Sequence, residues 1–427
     1  MRVLLMGAGD LAEEVSEALE AGGASVRFLS DADDESVQGA LLGGDIDVAV
    51  VAAREDAFPL RMALLVRHYS DVRLVVTIFD PAMARQVRET IPDCAVTSVA
   101  DIVAPTLAGP CLDPDLVAVR RGSGGRLIGL DASLHEVPLP ASQARRLRSL
   151  VEAVLAPYDR SAALLFYGAI GLVVMLAFEW VGSMVVLDQD AADALYGSAK
   201  SLATVGPNPA VDDGPEWFKV TIVVSMLLTL LSAASFTGGL INRLVDTRLT
   251  GLLGRRAVPR RSHVVVIGLG QVGLRLCLLL RECGVPVVAV DTEAEGENVG
   301  FARREKLPVV IGRGANPDVL HRLSLSRARA LAAVTPDDLR NIEAAVAARA
   351  SDASLRVVLR AGDGEITDET RSLERIGHVL DVHRLAAAFI AGVALGKAVE
   401  AVAVRNGRPQ LLLEEGSWEE FPLEVAR

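Results

Sequence analysis

The sequence predicts two α/β Rossmann-like halves flanking a two-helix transmembrane module with a re-entrant loop. Three observations predict it. Residues 2–30, RVLLMGAGDLAEEVSEALEAGGASVRFLS, align without gaps on 263–291, HVVVIGLGQVGLRLCLLLRECGVPVVAVD. Each copy is an apolar run, a glycine turn, an amphipathic segment and a second apolar run, the opening βαβ of a dinucleotide fold. Between the copies, residues 162–178 run 17 positions and residues 220–241 run 22 positions without a charge, where a bilayer core of about 30 Å needs about 20 helical residues. The connector between these spans, 188–216, carries a helix-forming segment and an extended one. Irregular backbone at membrane depth survives only where it lines a water-filled path or is buried in protein.

Taken in order, the first half covers 1–140, a basic linker helix 141–160, the membrane module 161–250, a basic linker 251–261 and the second half 262–427. Later strands repeat as well: 47–53 and 72–78 echo 329–335 and 355–361, and 116–130 echoes 402–413, each of the last pair reading as a hairpin. The first half lacks a counterpart to 307–320, so it is expected to be one strand and one helix shorter.

The second copy carries the complete nucleotide motif. Gly268, Gly270 and Gly273 follow a strand and open a helix, with Gln271 and Val272 between them. Asp291 ends the next strand and Thr292 follows. Such glycines allow a tight turn and close approach of a pyrophosphate, whose charge the helix N-terminus favours. An acid at that place bonds a ribose diol and repels a 2′-phosphate. The expected ligand is therefore NAD(H) or an adenine nucleotide. The first copy, Gly7, Gly9, Asp10 and Leu11, is the weaker candidate, because Ser30 stands where Asp291 stands and Asp31 comes one place later.

The flanks of the spans set their orientation. Arg145, Arg146, Arg148 and Arg160 precede the first span, and Arg243, Arg248, Arg255, Arg256, Arg260 and Arg261 follow the second. The connector holds Asp188, Asp190, Asp193, Asp212, Asp213 and Glu216 against Lys200. The excess of arginine puts both termini in the cytoplasm of a two-span, multi-pass cell-membrane protein in contact with lipid. Glu179 interrupts the first span and reads either as an interfacial carboxylate beside Trp180 or as a brace behind the connector. The Ser232–Ser235 and Gly238–Gly239 clusters read as close helix packing or as a bending point.

The connector segment DALYGSAKSLATVG resembles, in order and spacing, the pore helix and filter entrance of two-transmembrane potassium channels gated by RCK (TrkA-N) domains. Thr204, Val205, Gly206, Pro207 and Asn208 then occupy the filter positions, although that family continues Tyr-Gly-Asp where this chain has Pro207-Asn208-Pro209. The Rossmann-like halves resemble RCK domains over nearly their whole length, including TPDD followed by Asn341. Gly312 keeps that family's glycine, and Arg313 replaces its acid. The resemblance implies a homo-tetramer around a central path for a monovalent cation, with a nucleotide on the RCK domains as gating ligand. A non-conducting nucleotide sensor and a membrane-anchored NAD-dependent oxidoreductase are the alternatives.

Composition excludes other classes. The chain has 427 residues and a net charge of −12, with no basic stripe of interleaved aromatics, so no nucleic-acid partner is expected. No Ser/His/Asp or Cys/His arrangement and no separate substrate domain is present, so no enzyme is expected. His378, Asp381 and His383 lie close in sequence but lack further ligands, so no metal is expected. Four cysteines without a CxxC pair read as buried or free thiols. The acid runs 31–35 and 293–297 read as solvated loops.

Overall fold

The computed structural model describes residues 1–122, 124–139, 160–203, 206, 208–245, 262–362 and 376–423. It divides into two compact units, Met1–Ala144 together with Val258–Arg427, and Arg145–Ala257. The basic linker 251–261, residues 141–159 of the preceding one, and Thr204, Val205 and Pro207 lie outside the described residues.

The first half is built from β1 (Arg2–Met6), α1 (Asp10–Ala21), β2 (Ser25–Leu29), α2 (Asp34–Leu42), β3 (Val48–Val51), α3 (Ala57–Tyr69), β4 (Arg73–Thr77), α4 (Pro81–Thr90), β5 (Cys94–Thr97) and α5 (Val99–Leu112). The strands form a parallel sheet in the order β2-β1-β3-β4-β5. Val3–Met6 of β1, Val48–Val51 of β3 and Leu74–Thr77 of β4 are buried on both faces, as a sheet covered by helices on both sides requires. Helix starts follow capping chemistry. Asp33 accepts from Ser36 N–H in a capping box. Asp80 caps α4 with Pro81 in the first turn. The acid run 31–35 therefore starts a helix; it is not a plain solvated loop. A hairpin sheet of β6 (Leu116–Arg121), β7 (Leu127–Asp131) and β8 (Glu136–Val137) closes this half.

The second unit holds α6 (Arg160–Val186), α7 (Ala191–Leu202), a 3-10 turn at Pro209–Asp213 and α8 (Glu216–Val245). Leu164–Val186 and Glu216–Ile241 have mean hydropathies of 2.1 and 2.0, and only 11% and 17% of their most apolar stretches are buried. A core helix of a soluble domain would have its apolar face covered; here Val185 is 76% exposed. The two helices pack through small residues. A Cβ on Gly168 would lie 2.5 Å from Phe236 N, and one on Gly171 would lie 2.4 Å from Ser232 Oγ. Ser232 thus sits in a close crossing, where its hydroxyl donates back to Leu228 O.

The second half comprises β9 (Val264–Ile267), α9 (Gln271–Glu282), β10 (Val287–Asp291), α10 (Glu297–Arg304), β11 (Val309–Ile311), α11 (Pro317–Arg322), β12 (Ala330–Ala333), α12 (Asp338–Ser351), β13 (Arg356–Ala361), β14 (His378–Asp381) and α13 (Val382–Ala394). The hairpin sheet β15 (Val399–Arg405), β16 (Arg408–Leu413) and β17 (Trp418–Glu420) follows. Its parallel sheet runs β11-β10-β9-β12-β13-β14, one strand more than in the first half. In the first half β2 passes through α2 directly to β3, so the counterparts of β11 and one helix are missing.

The halves are interlocked within one unit. The last helix of each sheet packs on the first helix of the other: α13 on α1, and α5 on α9. Leu11, Val15, Leu107, Cys111, Cys277, Leu385 and Ile390 belong to one buried cluster. Arg384 pairs with Glu14 at 3.1 Å, Arg275 with Asp101 at 2.7 Å, and Thr106 Oγ1 donates to Val402 O at 3.1 Å. Burial pushes the Cys111 thiol up to about 12, so it is a packed apolar group and not a nucleophile.

Candidate nucleotide cleft and membrane loop

The glycine turn between β9 and α9 uses its three glycines differently. Gly268 has φ 94°, and a Cβ there would lie 2.8–3.0 Å from Thr335 atoms. Gly273 lies in the first turn of α9 against the strand; a Cβ would meet Gly268 O at 1.9 Å. Gly270 has nothing within 4 Å of its Cβ position, which opens on the cleft above the turn. Gly270 also supplies no capping side chain to α9. The first-turn N–H groups are therefore left to an anion, the arrangement that holds a pyrophosphate.

The cleft is about 340 Å³ and is lined by Gly268, Gly270, Asp291, Thr292, Gly312 and Arg313, all expected from the sequence. That volume lies within the range of small-molecule sites. Asp291 has a second task. Its Oδ2 accepts from Leu269 N–H at 2.6 Å and its Oδ1 from Glu293 N–H at 3.0 Å, so the carboxylate ties β10 to the glycine turn. Arg313 pairs with Glu343 at 3.5 Å at the exposed mouth. Gln271 and Val272 instead line a second, smaller cavity.

Sequence reasoning missed parts of this wall. Glu293, Gly296 and Glu297 line the cleft, so the acid run 293–297 is more than a solvated loop. Asn341 holds the turn after β12, accepting from Thr335 N–H at 2.9 Å and donating to Arg360 O at 3.1 Å. The TPDD-to-Asn341 spacing was its signal.

In the first half, Gly7 likewise packs against β3, where a Cβ would lie 2.1 Å from Ala52 O. Gly9 has φ 76°. Asp10 starts α1 and lies 3.9 Å from Arg54, and Leu11 is buried. The strand and helix that wall the second-half cleft have no counterpart here.

His378, Asp381 and His383 take separate roles. His378 is exposed on β14. Asp381 caps α13, accepting from His383 N–H at 3.1 Å and Arg384 N–H at 3.0 Å. Burial pushes its carboxyl up to about 6; Glu14 adds to this, while Arg384 and the two capping N–H groups oppose it. A carboxyl raised on folding stays protonated in the folded chain after the unfolded chain has lost its proton. Ionised Asp381 therefore costs stability, and stability falls as pH rises from about 4 to about 6. Asp381→Asn keeps an oxygen for the cap and removes the charge. It should raise the melting temperature of the detergent-solubilised protein by several degrees at pH 8, on the order of 2 kcal/mol. The gain should shrink towards pH 4.5.

In the membrane module, Asp190 caps α7, and buried Ala194, Gly197, Ser198 and Ser201 form its packed face. Gly206 has φ 143°, in the glycine-favouring region. Asn208 is buried. Its amide donates to Gln189 Oε1 at 2.5 Å and Ser183 Oγ at 3.5 Å, and its Oδ1 accepts from Ala210 N–H at 3.2 Å. Its backbone carbonyl accepts from Val211 N–H at 3.0 Å. Asn208 thus fastens the loop to α6 and α7, and its carbonyl is committed to the 3-10 turn. Glu179 is also buried, accepting from Ser225 Oγ of α8 at 2.7 Å, so its carboxylate faces the neighbouring helix. Trp180 Nε1 donates to Ala191 O at the start of α7.

Residues 264–380, spanning β9 to β14, match the TrkA-N domain. "Potassium channel protein 1" of Methanocaldococcus jannaschii is 20% identical over 201 residues, 45% of this chain and 60% of that protein. The second half thus carries a TrkA-N domain, and the chain resembles RCK-containing, potassium-channel-like proteins. "K(+) efflux antiporter 2, chloroplastic" of Arabidopsis thaliana is 27% identical over 161 residues, 36% of this chain and 13% of the antiporter. The chain thus spans less than two thirds of the length of either relative. Among solved structures, "GsuK Channel" has a TM-score of 0.52 at 15% identity, covering 92% of this chain and 63% of that one. "GsuK channel bound to NAD" has a TM-score of 0.51 at 14% identity with the same coverage. These two establish likeness of fold.

Proposed function

We propose that this chain is a cell-membrane cation channel, with potassium the expected ion, gated by NAD(H) or an adenine nucleotide on its second RCK half. The observation that carries the reading is α7, a short capped helix that follows the first long apolar helix, packs against it, and precedes the second, the outer faces of both long helices being uncovered. Such a hairpin has a use in a membrane when neighbouring copies complete a path, and the resemblance to two-transmembrane channels implies four copies in lipid, with two spans per chain. The arginine-rich flanks in the sequence support both termini lying in the cytoplasm. The relative named as a potassium channel supports the transport class, and the solved channel with NAD supports the ligand class. Thr204, Val205, Gly206 and Pro207 are the filter positions in this reading. A ligand biases the gate only through different affinities for its two states.

A non-conducting nucleotide sensor is the second reading. It is favoured by Pro207 and Pro209 after the Thr-Val-Gly run, and by the commitment of the Asn208 carbonyl to its turn.

The nucleotide part is tested by calorimetry on the full-length protein with NAD, NADH, ADP and ATP. Asp291→Ala removes both the ribose acceptor and the anchor of the glycine turn. Affinity for whichever nucleotide binds should fall at least about tenfold, the effect of losing a hydrogen bond to a charged group. Unchanged affinity would exclude the ribose contact.

A further inference from the structure

The charges around the nucleotide cleft are sorted by side. Asp291, Glu293 and Glu297 come from the end of β10 and the start of α10. Arg313 follows β11, and Arg340 and Glu343 lie on α12. The segments that lead to these arginines border the glycine turn. Gly314 packs on the end of β9, since a Cβ there would lie 2.4 Å from Ile267 Cγ2. Gly268, the next residue after Ile267, packs on Thr335 beyond the end of β12. A phosphate on the turn therefore has arginines on one side of the cleft and like charge on the other, so it is drawn towards the arginines.

Glu343 stands against that trend. Among the described residues lining the basic side it is the one acid. Its Oε2 accepts from Arg313 Nη2 at 3.5 Å. The Arg313 and Glu343 side chains are 73% and 56% exposed. An ion pair this long and this exposed is weak. Arg340 is held more firmly. Its Nε lies 3.0 Å from Asp337, and Asp337 is itself fixed as the cap of α12. Arg313 is thus the guanidinium that a ligand redirects more easily. Its planar fork can present two parallel N–H groups to phosphate oxygens. Such a charge-assisted, two-point contact is stronger than the single long contact to Glu343.

We propose that Arg313 is the phosphate-reading residue of the cleft and that Glu343 is its built-in competitor, holding the guanidinium until a nucleotide phosphate on the glycine turn displaces it. The proposal rests on the nucleotide reading above and names what sets the affinity of that site. Ligand arrival then breaks a link between the loop after β11 and α12. Nucleotide affinity is set by the difference between two contacts of one side chain.

The test is calorimetry of full-length protein in detergent with ADP, ATP and NAD, on wild type, Arg313→Ala, Glu343→Gln and the double variant. Both side chains are exposed, so melting temperatures should stay within about two degrees of wild type, which shows that the variants are folded. Arg313→Ala should weaken the nucleotide that binds wild type at least about fivefold, through loss of a charge-assisted hydrogen bond. Glu343→Gln should tighten it by about twofold to fivefold, the weight of a surface ion pair. That gain should vanish when Arg313 is already Ala, because the competitor then has nothing to compete for. Unchanged affinity in Arg313→Ala would overturn the proposal and leave the nucleotide reading standing. Unchanged or weaker binding in Glu343→Gln would overturn the competition. A gain of equal size with and without Arg313 would do the same, since Glu343 would then act only as a nearby negative charge. Absence of binding by all three nucleotides in wild type would overturn the underlying reading with it.

Discussion

Gly273→Ala should lower the melting temperature by several degrees and abolish nucleotide binding, whereas Gly270→Ala should abolish binding alone. The two glycines are three residues apart in one turn, yet their surroundings differ. A methyl on Gly273 falls 1.9 Å from Gly268 O and 3.2 Å from Val334 Cγ2. No rotamer relieves this, so α9 must move off β9 and the glycine turn must deform. Overpacking of this kind costs about 1–3 kcal/mol, and more where backbone is the obstacle. At Gly270 the backbone has φ −69°, open to any residue, and the methyl meets no protein atom. It projects into the cleft where a pyrophosphate would approach the first-turn N–H groups of α9. Thermal unfolding and calorimetry on both variants separate the effects. A normal melting temperature with retained binding in Gly270→Ala would show that the ligand does not approach the turn.

Asn208→Ala should lower both thermal stability and cation flux, the latter by at least about tenfold. The side chain occupies a buried seat against Gly197 of α7, where Asn208 Cγ lies 2.5 Å from the site of a Cβ. Its removal leaves Gln189 and Ser183 without their amide partner and frees the start of the 3-10 turn. A buried polar group stripped of its partner costs about 1–3 kcal/mol. The consequence for transport follows from geometry: the residues just before Asn208 are the proposed filter positions, and this amide pins the end of their segment to α6 and α7. Flux and melting temperature should both recover partly in Asn208→Gln, which keeps the amide. Wild-type flux in Asn208→Ala would mean that the pinned loop does not shape the path.

The strands and glycine turns were legible because parallel strands buried on both faces are continuous apolar runs, and the glycines punctuate them. The missing strand of the first half was legible as a gap between otherwise matching copies. The interlock of α5 with α9 and of α13 with α1 was not. α5 is buried along nearly all its length and carries Pro105 and Pro110, so it has no polar stripe from which to read its neighbours. Contacts with the other half and with β6 hold a helix that local propensity disfavours. The role of His383 was hidden for a different reason: its partner Arg54 is 329 residues away. Glu179 was ambiguous because sequence shows depth in a span but not which face meets Ser225. The sequence offered Asp291 as a ribose acceptor, whereas its hold on Leu269 N–H depends on the register that sets β10 beside β9.

The central claim, nucleotide-controlled cation passage through the membrane module, is tested most directly by flux into liposomes containing the purified full-length protein. Potassium and sodium should be measured separately, each with and without ATP, ADP and NAD. The account predicts monovalent cation flux whose rate changes on adding a nucleotide, with the change lost in Gly270→Ala. Absence of flux for both ions under every nucleotide condition, from protein that still binds nucleotide, would contradict it and leave the non-conducting sensor as the reading.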